Sequence, residues 1–136
     1  MVIWSPEVKR FLDESRFGVL ATVNDDGSVQ QTVMWYRRDG DTIVMNTKLG
    51  RKKYRNLYRD GRCSLCMEEG QRYVTVSGPI TIDEDRERGQ AGMLAMTTRY
   101  EGAEKADRQM RDEYSKQHRI NLTLTPEKID VHGFDA

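Results

Sequence analysis

Phe17-Gly18-Val19-Leu20-Ala21-Thr22-Val23-Asn24-Asp25-Asp26-Gly27-Ser28 reads as one strand and the start of a hairpin, and it decides the class of fold. A largely apolar run, rich in β-formers, passes directly into a turn of Asn, Asp and Gly. The return run from Ser28 to Arg38 alternates. Val29, Gln31, Val33 and Trp35 share one face, and Gln30, Thr32, Met34 and Tyr36 share the other. Neither face is wholly polar, so cover is expected on both, and the apolar first strand is expected to be buried on both sides.

Working outward, Ser5-Pro6 has the form of a helix cap and first helical residue, with Val8, Phe11 and Leu12 as a short apolar face. Downstream, Arg38-Asp39-Gly40-Asp41 turns into a third strand, Thr42-Ile43-Val44-Met45. A helix then runs from Arg51 to Arg59 and stops at Asp60-Gly61. Cys63 to Met67 is a fourth strand, and Gln71 to Ile82 a fifth, interrupted or bent at Gly78-Pro79. Asp83 is expected to cap a helical region in two pieces, Glu84 to Met96 and Ala103 to Gln117. Ile120 to Leu124 and Ile129 to Phe134 supply the last strands. Strands joined mostly by short hairpins, with a few helices, predict a mainly β (α+β) fold. The expected form is a small antiparallel barrel of six to seven strands with peripheral helices, one domain over residues 1–136.

The segment Asn46-Thr47-Lys48-Leu49-Gly50-Arg51-Lys52-Lys53-Tyr54-Arg55-Asn56-Leu57-Tyr58-Arg59 carries the chemistry. Helical spacing puts Tyr54, Leu57 and Tyr58 on one buried stripe, with Arg51 and Lys53 flanking it. Lys52, Arg55, Asn56 and Arg59 point towards solvent. A helix start presents unpaired N–H groups and partial positive charge, so basic side chains there are locally unfavourable unless they help to hold an anion. A solvated basic face fits the pattern equally well.

Composition narrows the classes. Lys plus Arg is 22 and Asp plus Glu is 22 in 136 residues, so the neutral net charge argues against a general nucleic-acid binder. No run has the length of a membrane span and the N-terminus lacks a signal-peptide core, which makes cytoplasmic residence the expectation. A hydrophobic content of 37% is low, so part of the buried surface is expected from a partner subunit.

Cys63 and Cys66 have the spacing of a redox or zinc pair, but residues three apart on a strand face opposite ways. They are expected to be plain core thiols. His118 and His132, the only histidines, have no carboxylate cluster at ligand spacing, so no metal is expected. No nucleophile elbow, P-loop or dinucleotide fingerprint is present, so the chemistry of an enzyme built on this chain would reside in a cofactor.

Phe17 to Val23, Asp26-Gly27 and Thr32-Val33-Met34-Trp35-Tyr36, followed by Thr47-Lys48, Lys53, Asn56-Leu57, Arg59-Asp60 and Arg62, resemble the split-barrel flavin/deazaflavin superfamily of pyridoxamine 5′-phosphate oxidase. The likeness runs from about Phe17 to Ile82 and is greatest to the branch that uses the 5-deazaflavin coenzyme F-420. The resemblance implies a split-barrel homodimer with two cofactor clefts at the interface and hydride transfer to a small organic acceptor. It puts the cofactor phosphate on Lys53 with Arg51 and Lys52 nearby. Asn46 and Thr47 would border the phosphate and ribityl-like chain, and Val33, Met34, Trp35 and Tyr36 would line the ring. FMN in the same site is the alternative cofactor. A non-catalytic binder of deazaflavin, FMN or a haem-type tetrapyrrole is the alternative role. Tyr36, Tyr73 and Tyr100 are the tyrosines open to a proton-donor role, and a structural role suits each.

Overall fold

The computed structural model describes residues 4–134. The first hairpin forms as its sequence predicts. β1 (Gly18–Val23) pairs antiparallel with β2 (Val29–Met34), with Gly18 opposite Met34 and Val23 opposite Val29. The Asp26 carboxylate accepts from the Ser28 N–H at 3.0 Å, and Gly27 takes a positive φ of 86° that closes the turn.

The return run is not one strand to Arg38. It stops at Met34, turns at Trp35-Tyr36 and resumes as β3 (Arg37–Asp39), paired with β4 (Thr42–Lys48). One expected strand thus becomes two. β5 (Arg62–Glu69), β6 (Arg72–Asp83), β7 (Arg119–Leu124) and β8 (Lys128–His132) complete eight strands, in the order β2-β1-β5-β6-β7-β4-β3 with β8 alongside β6. The result is the expected antiparallel split barrel with peripheral helices.

β6 joins its two halves. Residues 73–77 pair with β8, residues 80–83 pair with β7, and Gly78-Pro79 marks the changeover. A Cβ on Gly78 would lie 2.0 Å from the Thr125 carbonyl oxygen, so only glycine lets that loop cross the strand. Leu20, Leu65, Met67, Val74, Val76, Ile43, Met45, Ile120, Leu122 and Leu124 fill the interior, each fully buried. Phe11 and Leu12 of α1 (Pro6–Asp13) join the same core, and the Ser5 hydroxyl caps that helix by accepting from Val8 N–H at 3.1 Å.

The outer face of the first hairpin is not covered within the chain. Val19, Val29 and Val33 are exposed, and Phe17 just before β1 is 62% exposed. Burial on both faces, expected from the apolar pattern, therefore does not occur in the protomer.

Two helix expectations also change. α3 (Arg86–Glu101) is continuous through Thr97-Thr98-Arg99-Tyr100, which the sequence suggests is a linker. Here the Thr97 and Thr98 hydroxyls donate to the carbonyls of Met93 and Leu94, both at 2.7 Å, so their polar groups are satisfied inside the helix. The break comes at Gly102, with φ of 90°, before α4 (Ala103–Asp112). The N-cap of α3 is Asp85, which accepts from Arg88 N–H, whereas Asp83 receives the Arg88 guanidinium. α3 rests directly on β7. A Cβ on Gly89 would meet the Arg119 carbonyl oxygen at 1.7 Å, and one on Gly92 would meet Asn121 Oδ1 at 2.0 Å.

Candidate functional site

β4 delivers Asn46 and Thr47 to the start of α2 (Lys52–Arg59), as the sequence suggests, but the helix is rotated relative to its expected wheel. Its buried residues are Lys53, Asn56 and Leu57, while Tyr58 is exposed and Tyr54 half-buried. Of the expected stripe, Leu57 is buried and Tyr54 packs against the core, but Tyr58 is not covered, because polar partners decide the rotation. The Asn56 amide lies 2.9 Å from Asn24 Oδ1, 3.1 Å from Thr22 Oγ1 and 3.3 Å from Gln30 Oε1. A buried amide with several acceptors outweighs an exposed Tyr ring that loses little in water.

This rotation sends Lys53 inwards, only 8% exposed, although it forms no hydrogen bond or ion pair among the described residues. Burial, and then the neighbouring Arg51 and Arg119, lower its pKa. The helix above it has no side-chain cap on its N-terminus and no acid in its first turn. Arg119 is also buried. Its Nε donates to Asn46 Oδ1 at 2.9 Å and one terminal nitrogen donates to Gln117 Oε1 at 2.9 Å. The Asn46 amide in turn donates to Gly89 O and Asn121 Oδ1, both at 2.9 Å, which fixes this wall to α3 and β7.

These groups line one cleft of about 330 Å³. Arg51, Lys53, Arg119, Asn46 and Thr47 make its polar wall; Phe17, Val33, Met34, Trp35, Met93 and Met96 make the apolar one; and Glu113, Tyr114 and Gln117 complete the lining. Of the residues expected at the site, Val33, Met34, Trp35, Asn46, Thr47, Arg51 and Lys53 come together. Lys52 and Tyr36 do not. Lys52 is exposed beside the hairpin turn with Asp26, Arg55 and Arg59. Tyr36, at the corner between β2 and β3, turns into the core and is fully buried.

Arg119, Tyr114 and the two methionines also line the cleft, and no sequence pattern singles them out. Arg119 begins an apolar strand and looks like an ordinary polar boundary; its role emerges only from the register, which sets it opposite Lys48. Met93 and Met96 lie one turn apart on a helix whose buried residues are otherwise Gly89 and Thr97, a pattern too sparse to reveal a lining.

The cysteines behave as expected of separate strand residues. Both are free. Cys63 is buried, with its thiol pushed up to about 12 by desolvation, whereas Cys66 lies on the opposite face. No three His, Cys, Asp or Glu side chains form a metal-binding group among the described residues. No helix among these residues is long and apolar enough to cross a membrane. The cleft offers cations beside an uncapped helix start and an apolar lining that includes Phe17 and Trp35: a phosphate-bearing, ring-containing ligand suits this donor set.

Comparison with known proteins agrees on the architecture. No curated protein matches the chain significantly. A conserved hypothetical protein from Mycobacterium tuberculosis is 27% identical, with a TM-score of 0.79, over 97% of this chain and 86% of its own. An F-420 reductase is 26% identical with a TM-score of 0.73, covering 95% and 98% of the respective chains. The haem storage protein from Vibrio cholerae, at 19% identity and a TM-score of 0.70 over 98% and 97%, shares the fold. The model of the family described as pyridoxamine 5′-phosphate oxidase matches residues 4–133, and the chain belongs to that family.

Proposed function

We propose that the chain is a coenzyme F-420-dependent oxidoreductase that works as a homodimer and reduces a small, flat organic acceptor. The observation that carries this reading is Lys53: a buried cation with no counter-charge among the described residues, at an uncapped helix start, in the same cleft as the aromatic side chains of Phe17 and Trp35. The likeness to an F-420 reductase across nearly the whole of both chains supports the deazaflavin over other ring systems.

Lys53 would hold the cofactor phosphate with Arg51 and the first N–H groups of α2, and Arg119 would add a second, fixed cation from β7. Met34 and Trp35 would support one region of the ring and Met93 and Met96 another. When bound, the deazaflavin would supply a hydride to the acceptor, with the balancing proton drawn from solvent. The chain orients the two partners and excludes water from between them.

The dimer is supported by the uncovered hairpin face. Phe17 and Val33 are 62% and 65% exposed, and both also line the cleft. A second copy seated there would bury them and close the open side of the site.

Absorbance titration of the purified protein with coenzyme F-420, FMN and haemin tests the reading, because each chromophore has a distinct band. Tighter binding of F-420 than of FMN, with hydride delivered to a nitro- or enone-type acceptor, is expected. Preference for FMN would reassign the cofactor. Binding of any of them without turnover of an acceptor panel would make the chain a carrier.

A further inference from the structure

The end of α3 reaches the corner where β2 breaks. The register of the first hairpin ends with Gly18 opposite Met34; extended, it would set Phe17 against Trp35 and Arg16 against Tyr36. The ladder is not continued there. Instead the Tyr100 hydroxyl stands between the two backbones: it accepts from Tyr36 N–H at 3.0 Å and reaches the Arg16 carbonyl at 2.6 Å. Its single proton suits the shorter contact, with the Tyr36 carbonyl at 2.9 Å beside it. The hydroxyl thus bridges the two backbones where a strand-to-strand hydrogen bond would otherwise lie.

Arg99 completes the corner. Its Nε donates to the Tyr36 carbonyl at 3.0 Å, and its terminal nitrogens donate to the carbonyls of Leu12, Asp13 and Glu14 at the end of α1. The rings follow the same arrangement. Trp35 stacks on Tyr100 with centroids 4.9 Å apart at 11°, and Phe17 lies near-parallel to Tyr100 at 6.3 Å and 16°. Trp35 and Phe17 are cleft residues, whereas Tyr100 and Arg99 are not.

We infer that Tyr100, braced by Arg99, is a positioning residue that sets the aromatic wall of the cleft. Its hydroxyl opens the ladder and its ring fixes the orientation of Trp35, and so selects for a flat ring at that wall without touching the ligand. The inference rests on the proposed reading only in naming that ring as a deazaflavin or flavin.

Three proteins decide it: wild type, Tyr100→Phe, which keeps the ring but removes the hydroxyl, and Tyr100→Leu, which removes both. They are made in a Trp4→Phe background, so that Trp35 is the one tryptophan. In the cofactor-free state, Tyr100→Leu should raise acrylamide quenching of Trp35 about twofold, and Tyr100→Phe should restore the wild-type value. Tyr100→Leu should weaken F-420 and FMN about tenfold, since a stacked aromatic pair has that order of worth, and Tyr100→Phe about threefold, through loss of the hydroxyl bridge alone. Inorganic phosphate should compete with equal potency against all three, because the cation wall is untouched. If Tyr100→Leu does not fold, Tyr100→Phe alone decides. Unchanged ring affinity in Tyr100→Phe, unaltered Trp35 quenching in a folded Tyr100→Leu, or loss of phosphate affinity in step with ring affinity would each overturn the inference. A wild type that binds neither ring would defeat the proposed function, while the quenching series would still judge the positioning role.

Discussion

Replacing Lys53 with Met should move stability and affinity in opposite directions. The side chain is buried, has no partner among the described residues, and has its pKa lowered by desolvation and by Arg51 and Arg119. A lysine whose folded pKa lies below its unfolded value opposes folding wherever both states are charged. The opposition fades as pH rises from the lowered folded value towards the ordinary 10.5, because across that window the unfolded chain binds more protons. At neutral pH the cofactor-free Lys53→Met protein should therefore melt at or above wild type. On raising the pH into that alkaline window, wild type should gain on the variant. Ligand binding reverses the order. A charge-assisted hydrogen bond is worth about 1.5–3 kcal/mol, so the variant should bind coenzyme F-420 or FMN roughly ten- to a hundredfold more weakly. Lys52→Met removes the same charge from an exposed site beside the hairpin turn, so it should change affinity far less; Arg51→Met, exposed but at the cleft, should fall between. Differential scanning fluorimetry without ligand and fluorescence titration with it measure the two arms. Equal, small losses of affinity in all three variants would show diffuse electrostatics and refute the assignment.

Three further outcomes are expected. Sedimentation should show a dimer that the double variant Val19→Asp/Val29→Asp turns into a monomer, since both side chains lie on the exposed hairpin face; a monomeric wild type that still holds cofactor tightly would refute this. Cys63→Ala with Cys66→Ala should leave cofactor affinity and turnover unchanged while lowering the melting temperature through the buried Cys63 site, and a selective loss of turnover in the folded protein would contradict it. Gly89→Ala should destabilise by about 1–3 kcal/mol or more, because its methyl group would overlap the Arg119 carbonyl; a chemical melt indistinguishable from wild type would show that α3 can move away.

The fold was legible in the sequence where local chemistry and the global arrangement agree. Asn24-Asp25-Asp26-Gly27 makes its turn, Ser5 caps its helix and Gly78-Pro79 marks the change of partners along β6. The reading failed where a distant group overrides a local pattern. Nothing between Ser28 and Arg38 announces a break, because the break is made by Tyr100, 64 residues away. The same holds for the site. Lys53 could be singled out from its place in the first turn, but Arg119 becomes a site residue only when β7 pairs with β4.

Neighbouring lysines 52 and 53 show how such a site is specified. Both have the same side chain and the same helix, so neither propensity nor charge distinguishes them. Asn56 does. Three residues on from Lys53, it lies on the same face of the helix, and its amide is held by Thr22, Asn24 and Gln30 of the first hairpin. Burying that amide with partners fixes the rotation of α2, and the rotation carries Lys53 into the cleft whether or not a charge is welcome there. The first hairpin thus acts on the site twice: Met34 and Trp35 face the cleft directly, and its polar side chains aim the helix that supplies the cation. A hydrophobic stripe, from which helix rotation is usually read, leaves Lys53 only at its edge; the held Asn56 amide is what brings it fully inside.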